Sequence, residues 1–300
     1  MTDRQSSGAS PQADGTSGSW VCPSVLVGLV GSGIQASRTP SLHEREGAEQ
    51  GLRYVYKLID LEALGIDASA LPDILLAAQR FGFAGLNITH PCKQAVIPLL
   101  DELSPDAAAL GAVNTVVLKG GRRIGHNTDW WGFAESFRRE LSEARRDRVV
   151  QFGAGGAGAA VAHALLTLGT GHVTIIDTDE ERARSLAAAL RERFGEGRAS
   201  AGLTLAQEMT AADGVVNTTP LGMAKYPGMA VPAELLRPEL WVADIVYFPL
   251  ETELLRQARS RGCRTMSGGG MAVFQAVGAF RLFTGKEPDS SRMLRHFSEM

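Results

Sequence analysis

The sequence predicts an α/β protein of two domains. An N-terminal α/β substrate domain precedes a Rossmann-type, doubly wound dinucleotide-binding domain. Three observations predict this. Short apolar runs alternate with stretches of helical apolar spacing, the pattern of parallel strands joined by crossover helices. A glycine turn, Gly153-Ala154-Gly155-Gly156-Ala157-Gly158, sits between a strand-like run and an Ala- and Leu-rich run. A length of 300 residues leaves room for a second domain beside a nucleotide fold.

Composition narrows the partners. A hydrophobic content of 44% and a charged content of 21% are those of a globular chain. A net charge of −3 makes no electrostatic case for nucleic acid or an anionic membrane, so a small molecule is the expected partner. Cys22, Cys92 and Cys263 are odd in number and far apart. They form neither a disulfide framework nor a metal-ligand spacing, so a cytoplasmic protein without a metal is expected. No 18-residue apolar run predicts a membrane helix. Residues 1–20, rich in Ser, Gly, Asp and Gln, read as a disordered tail rather than a signal peptide.

In chain order, Val25 to Val30 reads as a buried strand running into Gly31-Ser32-Gly33, with Ser37 and Thr39 beyond. In an extended segment these two hydroxyls share a side and can grip a small carboxylate. Taken alone, a helix cap is the preferred reading of Thr39, because Pro40 follows it. Leu52 to Leu61 and Ala84 to Ile88 read as strands, and Leu71 to Phe81 as a helix. Leu110 to Leu118 and Arg122 to His126 read as a strand pair joined at Lys119-Gly120-Gly121. A helix is expected from Thr128 or Asp129, either of which can cap it, to about Ala144. Arg148 to Phe152, the glycine turn, an Ala-rich helix and Val173 to Ile176 make a βαβ unit. Glu180 to Phe194 and Glu251 to Arg261 follow as helices, and Ala212 to Asn217, Leu240 to Tyr247 and Cys263 to Met266 as strands. Gly268-Gly269-Gly270 is expected to turn the chain into a helix, Met271 to Phe283, that packs back on the first domain. The expected division is 21–128 with 271–300 for the substrate domain and 129–270 for the nucleotide domain.

Asp177 follows Gly158 by 19 positions, at the end of the second strand of the βαβ unit. A carboxylate there accepts hydrogen bonds from the ribose hydroxyls of NAD and repels the 2′-phosphate of NADP. In the first domain, Lys93 starts a helix after Pro91, and Asp129 starts another. A lysine and an aspartate converging on one hydroxyl make a proton-transfer pair for alcohol oxidation. For each alone, a solvated charge or a cap remains the competing reading. Asn87, Asn114, Asn127 and Gln275 are amides in apolar stretches that need partners, from a polyhydroxylated ligand or from backbone. Cys92 reads as a small core filler.

Several motifs, in order, make residues 25–300 resemble the shikimate dehydrogenase family. They are Asn87-Ile-Thr89-His-Pro-Cys-Lys93, Gly111-Ala-Val-Asn114-Thr, Asn127-Thr-Asp129, the glycine turn, Asn217-Thr-Thr-Pro-Leu-Gly-Met223, Val246-Tyr-Phe-Pro and Met271-Ala-Val-Phe-Gln275-Ala. The resemblance implies that Lys93 and Asp129 are the catalytic pair. It implies that Ser37, Thr39, Thr89, Asn114 and Gln275 bind a cyclitol carboxylate, with Tyr247 bordering that pocket. It places Gly153, Gly155, Gly156, Ala157, Gly158, Asp177 and Arg182 on the cofactor. It also places Pro220, Leu221, Gly222, Met223, Ile245 and Gly268 beside the nicotinamide half. Gly33, Ala36, Thr39 and Trp130 stand where most members have Pro, His, Ser and Gly. The Ser-Arg-Thr-Pro stretch and the acidic cofactor site are most similar to the NAD-dependent quinate/shikimate branch. Oxidation of quinate or shikimate, by a monomer or homodimer, is therefore the expectation. Reduction of the 3-dehydro ketone by a biosynthetic-type shikimate or aminoshikimate dehydrogenase, and an NAD-binding regulatory role, are the alternatives.

Overall fold

The computed structural model describes residues 24–202 and 204–300, so the tail expected at 1–20 and Cys22 lie outside the described residues. The first part of the chain runs β1 (Ser24–Gly31), α1 (Thr39–Glu49), β2 (Arg53–Asp60), α2 (Leu61–Leu64), α3 (Leu71–Arg80), β3 (Gly85–Ile88) and α4 (Cys92–Ala95). It continues with β4 (Glu102–Leu103), α5 (Pro105–Leu110), β5 (Thr115–Lys119) and β6 (Arg122–His126). These strands form one sheet in the order β2-β1-β3-β5-β6-β4. β1 pairs parallel with β2 and β3, and β5 is antiparallel to both β3 and β6.

After α6 (Asp129–Glu140) come β7 (Arg148–Phe152), α7 (Gly156–Thr167), β8 (His172–Ile176), α8 (Glu180–Phe194), β9 (Ala199–Ala201), α9 (Leu205–Ala211) and β10 (Gly214–Asn217). Then follow β11 (Trp241–Asp244), α10 (Glu253–Ser260), β12 (Arg264–Met266), α11 (Gly268–Thr284) and α12 (Ser290–Ser298). The second sheet has the order β12-β11-β10-β7-β8-β9, and all its pairs are parallel. The chain crosses from β9 on one edge back to β10 beside β7. The order therefore reverses at the middle of the sheet, where ligands meet doubly wound folds. Both faces of β7, β10 and β11 are buried, which is why these strands read as continuous apolar runs rather than alternating ones.

Four local expectations are corrected. Leu110 ends α5 and Gly111, at φ 57°, caps it, so the strand pair begins only at Thr115. α6 stops at Glu140 instead of Ala144. Neither Thr128 nor Asp129 caps α6 with its side chain; the Asn127 Oδ1 accepts the Asp129 N–H at 3.0 Å instead. The three glycines 268–270 are the first turn of α11, not a turn before it. They are glycines because a Cβ at 268 would run into the backbone of Ile245, and one at 270 into Ser136 Oγ.

α6 and α11 cross closely and join the two sheets. A Cβ on Gly132 of α6 would lie 2.7 Å from the Gln275 nitrogen and 2.8 Å from the Met271 oxygen, both backbone atoms of α11. Further along α11, Ala279, Phe280 and Phe283 pack with Val27, Leu29, Tyr54 and Tyr56 against the first sheet. The last helix is tied down by the Arg292 fork on the buried Glu46 carboxylate of α1, at 2.7 and 2.8 Å. Since the crossing is set by backbone contact, Gly132→Ala forces the helices apart. It is expected to lower stability by about 1–3 kcal/mol, the usual cost of overpacking. A urea denaturation midpoint identical to that of the parent protein would contradict this packing.

Candidate active site

A cavity of about 530 Å³ opens where the carboxyl ends of β1 and β3 face those of β10 and β11. That size suits a small ligand with part of a cofactor. Its lining includes Ser37, Thr39, Thr89, Lys93, Asn114, Asp129, Tyr247 and Gln275. All eight residues placed on the substrate by resemblance are thus together, drawn from six separated stretches of chain.

At the floor, Lys93 Nζ donates to Asp129 Oδ2 at 2.6 Å, bridging α4 to the first residue of α6. Asp129 is only 8% exposed, so its charge needs partners other than water. The second partner is Asn114, whose Nδ2 donates to Asp129 Oδ1 at 2.9 Å. The amide cannot face the other way. Its Oδ1 accepts the Thr128 backbone N–H at 2.8 Å and the Thr115 hydroxyl at 3.0 Å. Behind it, Asn87 Nδ2 donates to Thr115 Oγ1 at 3.0 Å, and Tyr56 Oη donates to Asn87 Oδ1 at 2.8 Å. Burial holds the Tyr56 phenol well above its ordinary pKa, so it remains a donor. One directed chain of hydrogen bonds therefore runs from β2 through β3 and β5 to the Asp129 carboxylate. Asn127 is not available to a ligand in this way: its Nδ2 is spent on the Ala112 carbonyl at 3.0 Å.

The loop carrying Ser37 and Thr39 is not extended. It turns through Gly33, at φ 67°, and α1 begins at Thr39. Proline cannot adopt that φ, so this loop follows a course that a proline at 33 would forbid. Thr39 is not a cap; Arg38 precedes the helix without a side-chain cap bond, and Ser37 Oγ accepts the Thr39 N–H at 3.3 Å. The loop is held from below by Asp60, which is buried at the end of β2. Its carboxylate accepts from Gly33 N at 2.9 Å, Ile34 N at 3.1 Å and Gln35 Nε2 at 2.9 Å. The Gln35 side-chain bond, then the loop amides, keep this carboxyl below its usual pKa. Tyr247 projects half-exposed into the cleft. Burial by surrounding atoms raises its phenol, with Lys93, Asp129 and Arg38 as the charges acting on it.

The cofactor-side residues divide. Ala157, Pro220, Met223, Ile245 and Gly268 line the same cavity, together with Thr218 and Thr219. Leu221 and Gly222 continue the loop after β10 but do not line it. Gly153, Gly155, Gly156 and Gly158 form the turn above β7 and open α7. Gly153 needs its φ of 103°, and a Cβ on Gly158 would strike the Gly153 carbonyl. At Gly155 and Gly156 a Cβ would meet nothing within 4 Å, and no side chain caps α7. Backbone donors at the start of a 12-residue helix are thus left facing open space, which fits a pyrophosphate. Asp177 is in the turn after β8, its Oδ2 accepting from Ala154 N at 2.7 Å and its Oδ1 from Asp179 N at 2.9 Å. Arg182 is exposed and pairs with Asp179 at 3.1 Å. No group of three or more metal-ligating side chains occurs among the described residues.

Residues 29–116 match the family model for the shikimate dehydrogenase substrate binding domain. A shikimate dehydrogenase (NADP(+)) from Streptomyces avermitilis is 63% identical over 279 residues, which are 92% of this chain and 96% of the relative. The chain belongs to the shikimate dehydrogenase family. Within that family, a quinate/shikimate dehydrogenase (NAD(+)) from Corynebacterium efficiens is 50% identical over 278 residues, 91% of this chain and 98% of the relative. Among solved family structures, the quinate dehydrogenase from Corynebacterium glutamicum in complex with NAD has a TM-score of 0.88 at 49% identity. That match covers 93% of this chain and 100% of the other. Shikimate 5-dehydrogenase from Listeria monocytogenes, in complex with shikimate and NAD, has a TM-score of 0.82 at 29% identity, covering 91% of this chain and 96% of the other.

Sequence reasoning missed Asp60, Arg38, Phe248 and Phe297. Asp60 carried a signal, an acid closing a strand, but nothing local connects it to a loop 25 residues earlier. Removing it tests the account of the loop. Asp60→Ala leaves the Ile34 N–H buried without an acceptor, and it is expected to cost about 1–3 kcal/mol of stability. It should also speed hydrogen exchange at the Gly33 and Ile34 amides. Unchanged exchange there would mean that the loop holds its shape without the carboxylate.

Proposed function

We propose that this protein oxidises a ring hydroxyl of quinate or shikimate to the 3-dehydro ketone, using NAD. The observation that carries the reading is the Lys93–Asp129 contact of 2.6 Å at the floor of a cavity that the glycine-turn domain also lines. The dinucleotide, when bound, supplies the hydride acceptor. Lys93, as the amine, takes the hydroxyl proton, and Asp129 stabilises and orients the ammonium that forms. In the reverse direction the same ammonium returns the proton to the ketone oxygen. Ser37 and Thr39 hold the substrate carboxylate by their hydroxyls. Thr89 and Gln275 take the ring hydroxyls and Tyr247 borders them, while Asn114, which lines the same cavity, has its amide engaged by Asp129 and Thr128 and serves the substrate by holding Asp129. Met223, Ile245 and Met271 give the cofactor side of the cleft an apolar wall that excludes water. The substrate role goes to residues 21–128 with 271–300 and the nucleotide role to 129–270, in a cytoplasmic monomer or homodimer.

The preference for NAD rests on the end of β8. Asp177 is fixed there by two backbone amides, and Asp179, Glu180 and Glu181 follow it. That concentration of carboxylates disfavours a 2′-phosphate. A second reading, NADP use in the biosynthetic direction, is favoured by the name of the Streptomyces relative. It requires Arg182 to leave Asp179 for the phosphate.

Two variants test the assignments. Lys93→Ala is expected to lower kcat by roughly 10² to 10⁴, the range of a positioned acid–base group, in assays of NADH formation. Near-normal turnover would remove Lys93 from the chemistry. Asp177→Ala is expected to narrow the ratio of kcat/KM with NAD to that with NADP by about tenfold, a ribose contact's worth of discrimination. A ratio that does not move would show that the aspartate does not read the ribose.

A further inference from the structure

Three charged side chains line the cavity: Arg38, Lys93 and Asp129. Lys93 and Asp129 neutralise each other in a direct salt bridge, which leaves Arg38 as the one uncompensated charge. Its guanidinium carbon lies 5.4 Å from the centroid of the Phe248 ring and 5.7 Å from that of Phe297. Phe248 comes from the loop after β11 and Phe297 from α12, so the cation sits where the two halves of the molecule meet over the cleft. Among the described residues no carboxylate pairs with it, and its side chain makes no hydrogen bond. A guanidinium stacked on ring faces keeps its N–H donors free in its own plane. Those donors stand on the same loop as the Ser37 and Thr39 hydroxyls.

We propose that Arg38 is the charge-selecting residue of this cleft, supplying the positive charge for a substrate carboxylate that Ser37 and Thr39 hold by neutral hydrogen bonds. The inference rests on the substrate reading given above. Two hydroxyls satisfy a carboxylate's lone pairs but do not balance its charge, and an unbalanced anion taken out of water is costly. With a cyclitol carboxylate bound, the charges lining the cavity sum to zero. With a neutral analogue, Arg38 is left uncompensated and partly desolvated. The site therefore favours acids over their esters, through the residue between the two hydroxyls rather than through the hydroxyls themselves.

The test is equilibrium binding by calorimetry of shikimate and of its methyl ester to the parent protein, Arg38→Gln and Arg38→Lys, at low and high salt. The parent protein is expected to bind the acid at least about tenfold more tightly than the ester, as a charge-assisted contact implies. Arg38→Gln should lose that preference by weakening the acid alone, and Arg38→Lys should keep most of it. Added salt should weaken the acid in the parent protein more than in Arg38→Gln. Equal weakening of acid and ester in Arg38→Gln would reduce Arg38 to a packing residue between two rings and overturn the proposal. Unchanged binding of both would overturn it too. A parent protein that binds neither compound overturns the substrate reading and this inference with it. One that binds the acid while Arg38→Gln keeps the full preference overturns this inference alone.

Discussion

A half-buried ion pair organises this molecule. Beside the Lys93–Asp129 bond, the other carboxylate oxygen of Asp129 is satisfied by an amide whose orientation is fixed from behind. Removing one partner from such an arrangement exposes the other to an uncompensated charge in a poorly solvated place. The polar chain from Tyr56 through Asn87, Thr115 and Asn114 therefore does more than fill hydrogen bonds. Each member has one allowed direction of donation, so the carboxylate meets donors however the cleft is filled. The proton exchange proposed for Lys93 needs preorganisation of this kind.

The pair also explains why the two sheets must be held in fixed relation. Lys93 stands on a four-residue helix after the central strand β3, whereas Asp129 opens the helix that leads into the second sheet. The α6–α11 crossing sets the position of that helix, and glycines at 132 and 270 bring the backbones close enough to leave no play. α11 then presents Gln275 to the cavity, and its far end is anchored in the aromatic packing under β1 and β2. Packing energy in the core is thus converted into the placement of three polar side chains.

What the sequence made legible follows from where the information resides. The glycine turn, its flanking strands and Asp177 lie in one continuous stretch, and their spacing is itself the signal. Lys93 and Asp129 were recognisable as polar groups beginning helices and as a chemically suitable proton-transfer pair, but they are 36 residues apart, and nothing local separates that pairing from two solvated charges or caps. Thr39 before Pro40 looks like a cap because the local pattern is the same. In the structure the helix starts one residue earlier, at Thr39, whose N–H is accepted by Ser37 Oγ, and the loop before it is held by the Asp60 carboxylate of a distant strand. The three glycines at 268–270 read as a turn because their intrinsic preference is for turns. They form a helix because the Ile245 backbone and Ser136 leave no room for side chains. Arg38, Phe248 and Phe297 gave no sign of belonging together, since no sequence pattern links a loop near one end of the chain to a helix at the other.

The measurement that bears most directly on this account is the initial rate of NAD(P)H formation by the parent protein. It would be made with quinate and with shikimate, each with NAD and with NADP. The account predicts turnover of at least one of the two acids with NAD and little with NADP. Turnover of shikimate alone, and with NADP in preference to NAD, would contradict the reading of the β8 terminus. No turnover of either acid with either cofactor would contradict the assignment of the ion pair to hydride-transfer chemistry.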